Sequence, residues 1–221
     1  MGDPVRVADM KERLRAAATV AVAWAIILAS VLGIGWLLTH SLEASVDPWD
    51  DDVARWFAGE RTNSLNETAD VGTFFGETVV GVAVATVVAG AASLWRRSLG
   101  PALFFALVLA GTGGFYWFGT ELIVRDRPPV QLLDPGLVPN DSFPSGHVAT
   151  SIAVYGGTAL LLWRLAPRTR PWIWVLLLIP TFVAVARLYQ GAHHVTDVLT
   201  SVLYATAWLA VVATVLHRRS G

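Results

Sequence analysis

Three polar clusters interrupt an otherwise apolar chain: Arg125-Asp126-Arg127-Pro128-Pro129, Pro144-Ser145-Gly146-His147, and Arg187 with His193 and Asp197. Together they hold imidazoles, a carboxylate and guanidiniums, which is the equipment of phosphoryl transfer. That reaction needs donors and positive charge around three equatorial oxygens, an in-line nucleophile, and a proton for the leaving oxygen. Arg127 and Arg187 offer planar, bidentate donors. The Ser145 hydroxyl and the amides of Gly146 and His147 would point into the same space if a helix starts there, because a helix N-terminus presents free N–H groups and the positive end of a dipole. Such a cradle needs no metal and no cofactor. Asp197 follows His193 at helical spacing, so the two side chains share a face if a helix begins that early. The carboxylate would then hold Nδ1–H and leave Nε2 free to attack, giving a phosphohistidine that water hydrolyses. His147 remains as the general acid for the leaving alcohol. His194, three residues before Asp197, has helical spacing too, and geometry alone leaves it as a rival nucleophile.

Each cluster taken singly has a plainer explanation. An arginine pair at a helix end anchors the interface, Pro-Ser-Gly opens a helix with serine as its cap, and a lone histidine is usually structural. These explanations do not account for all three clusters falling on one face, which is what the surrounding elements predict.

Those elements are membrane spans. The 221 residues are 54% hydrophobic, carry 16 basic against 17 acidic residues, and include no cysteine. The charge balance gives no reason to expect nucleic acid as a partner, and disulfide, thiolate and cysteine-ligated zinc chemistry are excluded. Stretches of about 20 apolar residues, enough to cross about 30 Å of hydrocarbon, recur near Ala16 to Leu38, Thr73 to Leu94, Pro101 to Val124, His147 to Trp163, Pro171 to Tyr189 and Val198 to Leu216. A lipid-exposed backbone must satisfy its own hydrogen bonds, and period-two alternation is missing, so these are helices rather than barrel strands. The expected fold is an all-α integral membrane protein: six transmembrane helices in one bundle, forming a single domain over residues 1–221. The first apolar run is too long for a signal peptide and reads as an uncleaved helix. With both termini cytoplasmic, eleven basic residues lie inside and five outside, as the positive-inside rule asks. The three clusters then lie on the extracytoplasmic side of a multi-pass plasma-membrane protein. The outer loop from about Thr39 to Gly72 reads as an amphipathic segment in the headgroup region, anchored by Trp49, Trp56 and Phe57 rather than contributing to catalysis.

The clusters resemble the three-part signature of the type 2 phosphatidic acid phosphatase superfamily: Lys, six residues, Arg-Pro; Pro-Ser-Gly-His; Ser-Arg, five residues, His, three residues, Asp. The second part is complete at Pro144 to His147, and the third matches at Arg187, His193 and Asp197. Thr120 stands where the family has lysine, and Ala186 stands before Arg187 where it has serine. Arg125 either supplies the missing charge or pairs with Glu121 one turn earlier. The resemblance favours His193 over His194 as nucleophile. It implies a metal-independent hydrolase of lipid phosphates or diphosphates, of the polyprenyl diphosphate, phosphatidylglycerol phosphate or phosphatidic acid type. Two other functions are compatible with the same residues: a protein that binds or transports lipid phosphate, and a phosphotransferase with an acceptor other than water.

Overall fold

The computed structural model describes residues 4–217; Arg218 and Arg219, two of the expected inner charges, lie outside the described residues. Among the described residues eight helices succeed one another: α1 (Pro4–Trp36), α2 (Glu43–Gly59), α3 (Asn63–Gly76), α4 (Thr78–Arg96), α5 (Gly100–Leu122), α6 (Gly146–Leu165), α7 (Trp174–Tyr189) and α8 (Val195–His217). α1 runs on into a π turn over Leu37–Ser41, and α6 contains another over Ile152–Gly156. Five helical stretches are long and apolar enough to cross a membrane: Met10–Ser41, Thr78–Arg96, Gly100–Leu122, Gly146–Leu165 and Val195–Leu216.

Two expected spans start later than the hydropathy implies. The stretch from Thr73 breaks at Glu77, whose ψ of 137° leaves the helical region, so Thr73 closes α3 and the span proper is α4. The stretch from Pro171 opens with a 3₁₀ turn over Pro167–Trp172. The helix after that turn, α7, has 16 residues, which at about 1.5 Å each reach about 24 Å.

The core is built mainly on α5, α6 and α8, with α1 packing against it. Trp208 of α8 packs edge-on against Phe115 of α5 at 5.7 Å, and Trp24 of α1 stacks on the other side of Phe115 at 5.3 Å. Each indole N–H finds a carbonyl, Trp208 on Leu107 and Trp24 on Gly111, so the polar end of each buried ring is satisfied. Outward faces carry large apolar residues such as Val79, Val87, Leu94 and Leu203, more than 60% exposed, as a hydrocarbon environment requires.

The stretch between Thr39 and Gly72 is more than an interfacial anchor. It forms α2 and most of α3, a helical hairpin over one end of the bundle. Trp49 and Trp56 face outward, whereas Phe57 turns in against Tyr189 at a ring distance of 6.5 Å. Arg61, between the two helices, donates to the Tyr189 carbonyl at 3.0 Å and to that of Gln131 at 2.7 Å. The hairpin is thereby tied to both loops that carry the polar clusters.

Candidate active site

After α5 the chain turns extended at Ile123, and Pro128 and Pro129, lacking amide hydrogens, keep it from re-entering a helix. The segment then folds back on itself. The Arg125 amide donates to the Asn140 carbonyl, the Arg127 amide to Pro139, and the Ser142 amide to Arg125 at 3.0 Å. This pairing delivers Phe143, Pro144 and Ser145 to the start of α6. At the opposite side, Gly191 takes a φ of +70° just after α7 and swings His193 and His194 inward before α8 begins. A β-carbon at Gly191 would come within 2.6 Å of Val130, so the turn needs glycine for space as well as conformation.

Arg187 is fully buried. Its Nη1 donates to Gln190 Oε1 at 2.9 Å, Asp134 Oδ2 at 3.1 Å and Thr73 Oγ1 at 3.3 Å. Gln190 is held in turn by Thr73 and Asp70 of α3. Nε and Nη2 of Arg187 are buried with no hydrogen-bond partner, and so is the Ser145 hydroxyl, which caps no backbone amide. Leaving donors of a buried guanidinium unmade is costly, roughly 1–3 kcal/mol per group and more for a charged one. Arg125 Nε is likewise buried without a partner.

His193 is 4% exposed, and its Nδ1 lies 2.6 Å from the Ser142 carbonyl. A carbonyl only accepts, so Nδ1 carries the hydrogen and Nε2 holds the lone pair. This corrects one sequence expectation: Asp197 does not hold His193 directly. α8 starts at Val195, so His193 stands outside the helix whose spacing would have paired them. Asp197 instead accepts from Ser142 Oγ at 2.6 Å, from the His194 amide at 2.9 Å and from Arg125 at 2.6 Å. Burial, reinforced by Arg187, holds His193 well below the usual imidazole range, with Asp197 opposing.

His194 is differently placed. Its Nε2 lies 3.5 Å from Asp51 and its Nδ1 3.4 Å from Asp197, so carboxylates flank both nitrogens. His147, half-buried at the first turn of α6, sits where α3 comes closest: a β-carbon on Gly76 would lie 2.9 Å from that of His147.

The remaining residues proposed from sequence take other partners. Arg127 is clasped by main-chain carbonyls: Nε by Val138 at 2.7 Å, Nη2 by Asp141 at 2.9 Å and Nη1 by Ala192. One hydrogen on each Nη stays available to a ligand. Arg125 neither replaces the missing lysine nor pairs with Glu121. Its Nη atoms bind Asp47, Asp50, Asp197 and Thr196 at 2.6–3.0 Å. Burial works to lower its pKa, but Asp197, with Asp47 and Asp50, more than reverses that and raises it. The Thr120 hydroxyl turns back on its own helix, to the carbonyls of Tyr116 and Trp117.

Several residues at the site carry no motif: Asp134, Ser142, Gln190 and, from the α2–α3 hairpin, Asp47, Asp50, Asp51 and Thr73. One signal for the hairpin was present in the sequence. Asp47, Asp50 and Asp51 recur at i, i+3 and i+4, which lines carboxylates along one face of α2.

Residues 101–220, just over half of the chain, match the family model described as PAP2 superfamily. The chain belongs to the PAP2 superfamily. The fold of this PAP2 protein resembles a crystal structure described as the first transmembrane PAP2 type phosphatidylglycerolphosphate phosphatase, from Bacillus subtilis. The TM-score is 0.69 at 21% identity, over 92% of this chain and 94% of that one. No curated protein matches the sequence. Its apolar helices make this PAP2 protein a multi-pass membrane protein. Its α2–α3 hairpin precedes the matched region, so part of the polar surroundings of Arg187 and Arg125 comes from residues outside that match.

Proposed function

We propose that this PAP2 protein is a metal-independent lipid phosphatase that uses His193 as nucleophile. The observation that carries the reading is the set of buried unpartnered donors, Nε and Nη2 of Arg187 and Oγ of Ser145, the last lying three residues from the carbonyl that holds His193. A phosphoryl group supplies the acceptor oxygens those donors lack. The amides of Gly146 and His147 and the spare Arg127 hydrogens complete the cradle.

The lone pair on His193 Nε2 forms the N–P bond as the bond from phosphorus to the lipid oxygen breaks, and His147 gives that oxygen its proton. Water then attacks phosphorus in line, His147 takes the water's proton, and the N–P bond breaks with its pair returning to Nε2. The product is inorganic phosphate. Asp197 acts at a distance, through Ser142. The flanking of His194 by Asp51 and Asp197 favours His193 as the attacking ring.

In this proposal six spans cross the membrane, α7 included, with both termini cytoplasmic and the site on the extracytoplasmic side of the plasma membrane. The substrate tail then stays in the bilayer while the headgroup reaches the cradle. The test is a panel of dioctanoyl phosphatidic acid, dioctanoyl phosphatidylglycerol phosphate and farnesyl diphosphate with the detergent-purified chain. Phosphate release should persist in EDTA, fall with vanadate and vanish in His193→Ala. A chain that binds these lipids without releasing phosphate, equally well after His193→Ala, is a binding or transport protein instead. Transfer of the phosphoryl group to an added alcohol in preference to water identifies a phosphotransferase.

A further inference from the structure

We infer that Ser142 is a positioning residue for His193, through which Asp197 acts on the imidazole; this rests on the phosphatase reading above. Ser142 is fully buried and each of its polar groups is engaged. Its amide donates to the Arg125 carbonyl at 3.0 Å, its hydroxyl to Asp197 Oδ2 at 2.6 Å, and its carbonyl accepts Nδ1–H of His193 at 2.6 Å. Two anchors therefore fix the direction of the third group. Asp197 is itself pinned, by Arg125 at 2.6 Å and by the His194 amide at 2.9 Å. The chain of contacts runs from the charge cluster behind the site, through one serine, to the nitrogen opposite the attacking one.

This anchoring has three chemical effects. The neutral ring is held with its hydrogen on Nδ1, so its lone pair faces the phosphate region. Positive charge that develops on the ring as Nε2 binds phosphorus meets a carbonyl dipole with a carboxylate behind it. The ring is also kept off the Asp197 oxygens, which already accept from Arg125, Ser142 and the His194 amide.

The test uses the detergent-purified full chain with the three lipids of the panel, together with vanadate as a probe of the phosphate cradle. Ser142→Ala keeps the carbonyl and loses the hydroxyl anchor. Its kcat should fall by about tenfold to 100-fold, the range in which a misplacement of about 1 Å acts, with KM and vanadate inhibition unchanged. Ser142→Cys, similar in shape but a weak donor, should lie between Ser142→Ala and wild type. The coupling is the decisive readout: Ser142→Ala combined with Asp197→Asn should be no slower than Asp197→Asn alone, since both remove one linkage. Intact vanadate inhibition shows that each variant is folded around its cradle. Wild-type kcat in Ser142→Ala or Ser142→Cys, or a double variant slowed by the product of the single effects, overturns the assignment of Ser142 while leaving the phosphatase reading intact. A wild-type chain inert toward all three lipids, or a His193→Ala variant as active as wild type, overturns the phosphatase reading and the assignment with it.

Discussion

Arg187 and Asp134 form an ion pair at 3.1 Å in which the guanidinium is fully buried and the carboxylate remains 29% exposed. Asp134 engages Nη1 only, leaving Nε and Nη2 open. The carboxylate thus sets the charge of the region without filling it. An asparagine in its place keeps a hydrogen-bond acceptor and removes an anion that repels phosphate. Inorganic phosphate and vanadate should inhibit Asp134→Asn about fivefold more tightly, equivalent to ~1 kcal/mol, the upper end for a partly exposed pair. Unchanged inhibition constants would show that Asp134 has no influence on the anion.

Arg187→Lys tests the open donors themselves. Lysine keeps the charge but cannot present the planar fork that places Nε and Nη2 side by side. Phosphate release should fall by about 100-fold or more, as when one preorganised donor is removed from a developing oxyanion. Steady-state kinetics on the panel lipids measure this, and a loss under about tenfold would mean the fork is dispensable.

The acidity of His193 sets a pH dependence with a definite sign. Burial and Arg187 hold its pKa well below the ordinary 6.5, so the ring stays neutral as pH falls past that value. Protonation of His193 should therefore remove activity only well below pH 6.5, and kcat/KM should show no acid limb from this ring near 6.5. The Arg187→Lys variant, which retains the cation, should keep this behaviour.

His194→Gln separates the two adjacent imidazoles. Carboxylates lie beside both nitrogens of His194, an arrangement that in the proposed reading ties the ring to the loop. The variant should retain phosphate release within about tenfold of wild type while losing roughly 1–2 kcal/mol of stability. Abolished release at unchanged thermal stability would make His194 the better nucleophile.

Arg125→Ala addresses the cluster behind the site. Asp50 and Asp197 are both fully buried, and without the guanidinium their charges stand uncompensated. A loss of about 3–5 kcal/mol is expected, the usual cost of removing one partner from a buried ion pair. Adding Asp50→Asn should restore part of it. Thermal unfolding in detergent reads both effects.

The chemistry is easier to read in the sequence than the way it is held together. Pro144-Ser145-Gly146-His147 announces a helix start, and α6 does begin at Gly146. The long apolar runs of α1, α4, α5 and α8 are legible because hydrocarbon imposes one requirement on every residue that faces it. A direct bond from Asp197 to His193 does not form because helical spacing applies only within a helix, and α8 starts two residues after His193. The partners of Arg125 are hidden for another reason. Asp47 and Asp50 lie more than 70 residues away, and pairing over that distance leaves no local periodicity. The two π turns and the break at Glu77 leave no mark in composition.

The pairing of Arg125 with the α2–α3 hairpin has an evolutionary consequence. A lineage that discards Asp47 or Asp50 while keeping Arg125 leaves that guanidinium to the remaining acid and Asp197. A lineage that discards Arg125 first leaves two acids facing each other in the dark. These positions, lying on either side of the boundary where the family pattern begins, should therefore change together among descendants of this chain. A hairpin grafted from a cousin will work only if it brings its own matching charges.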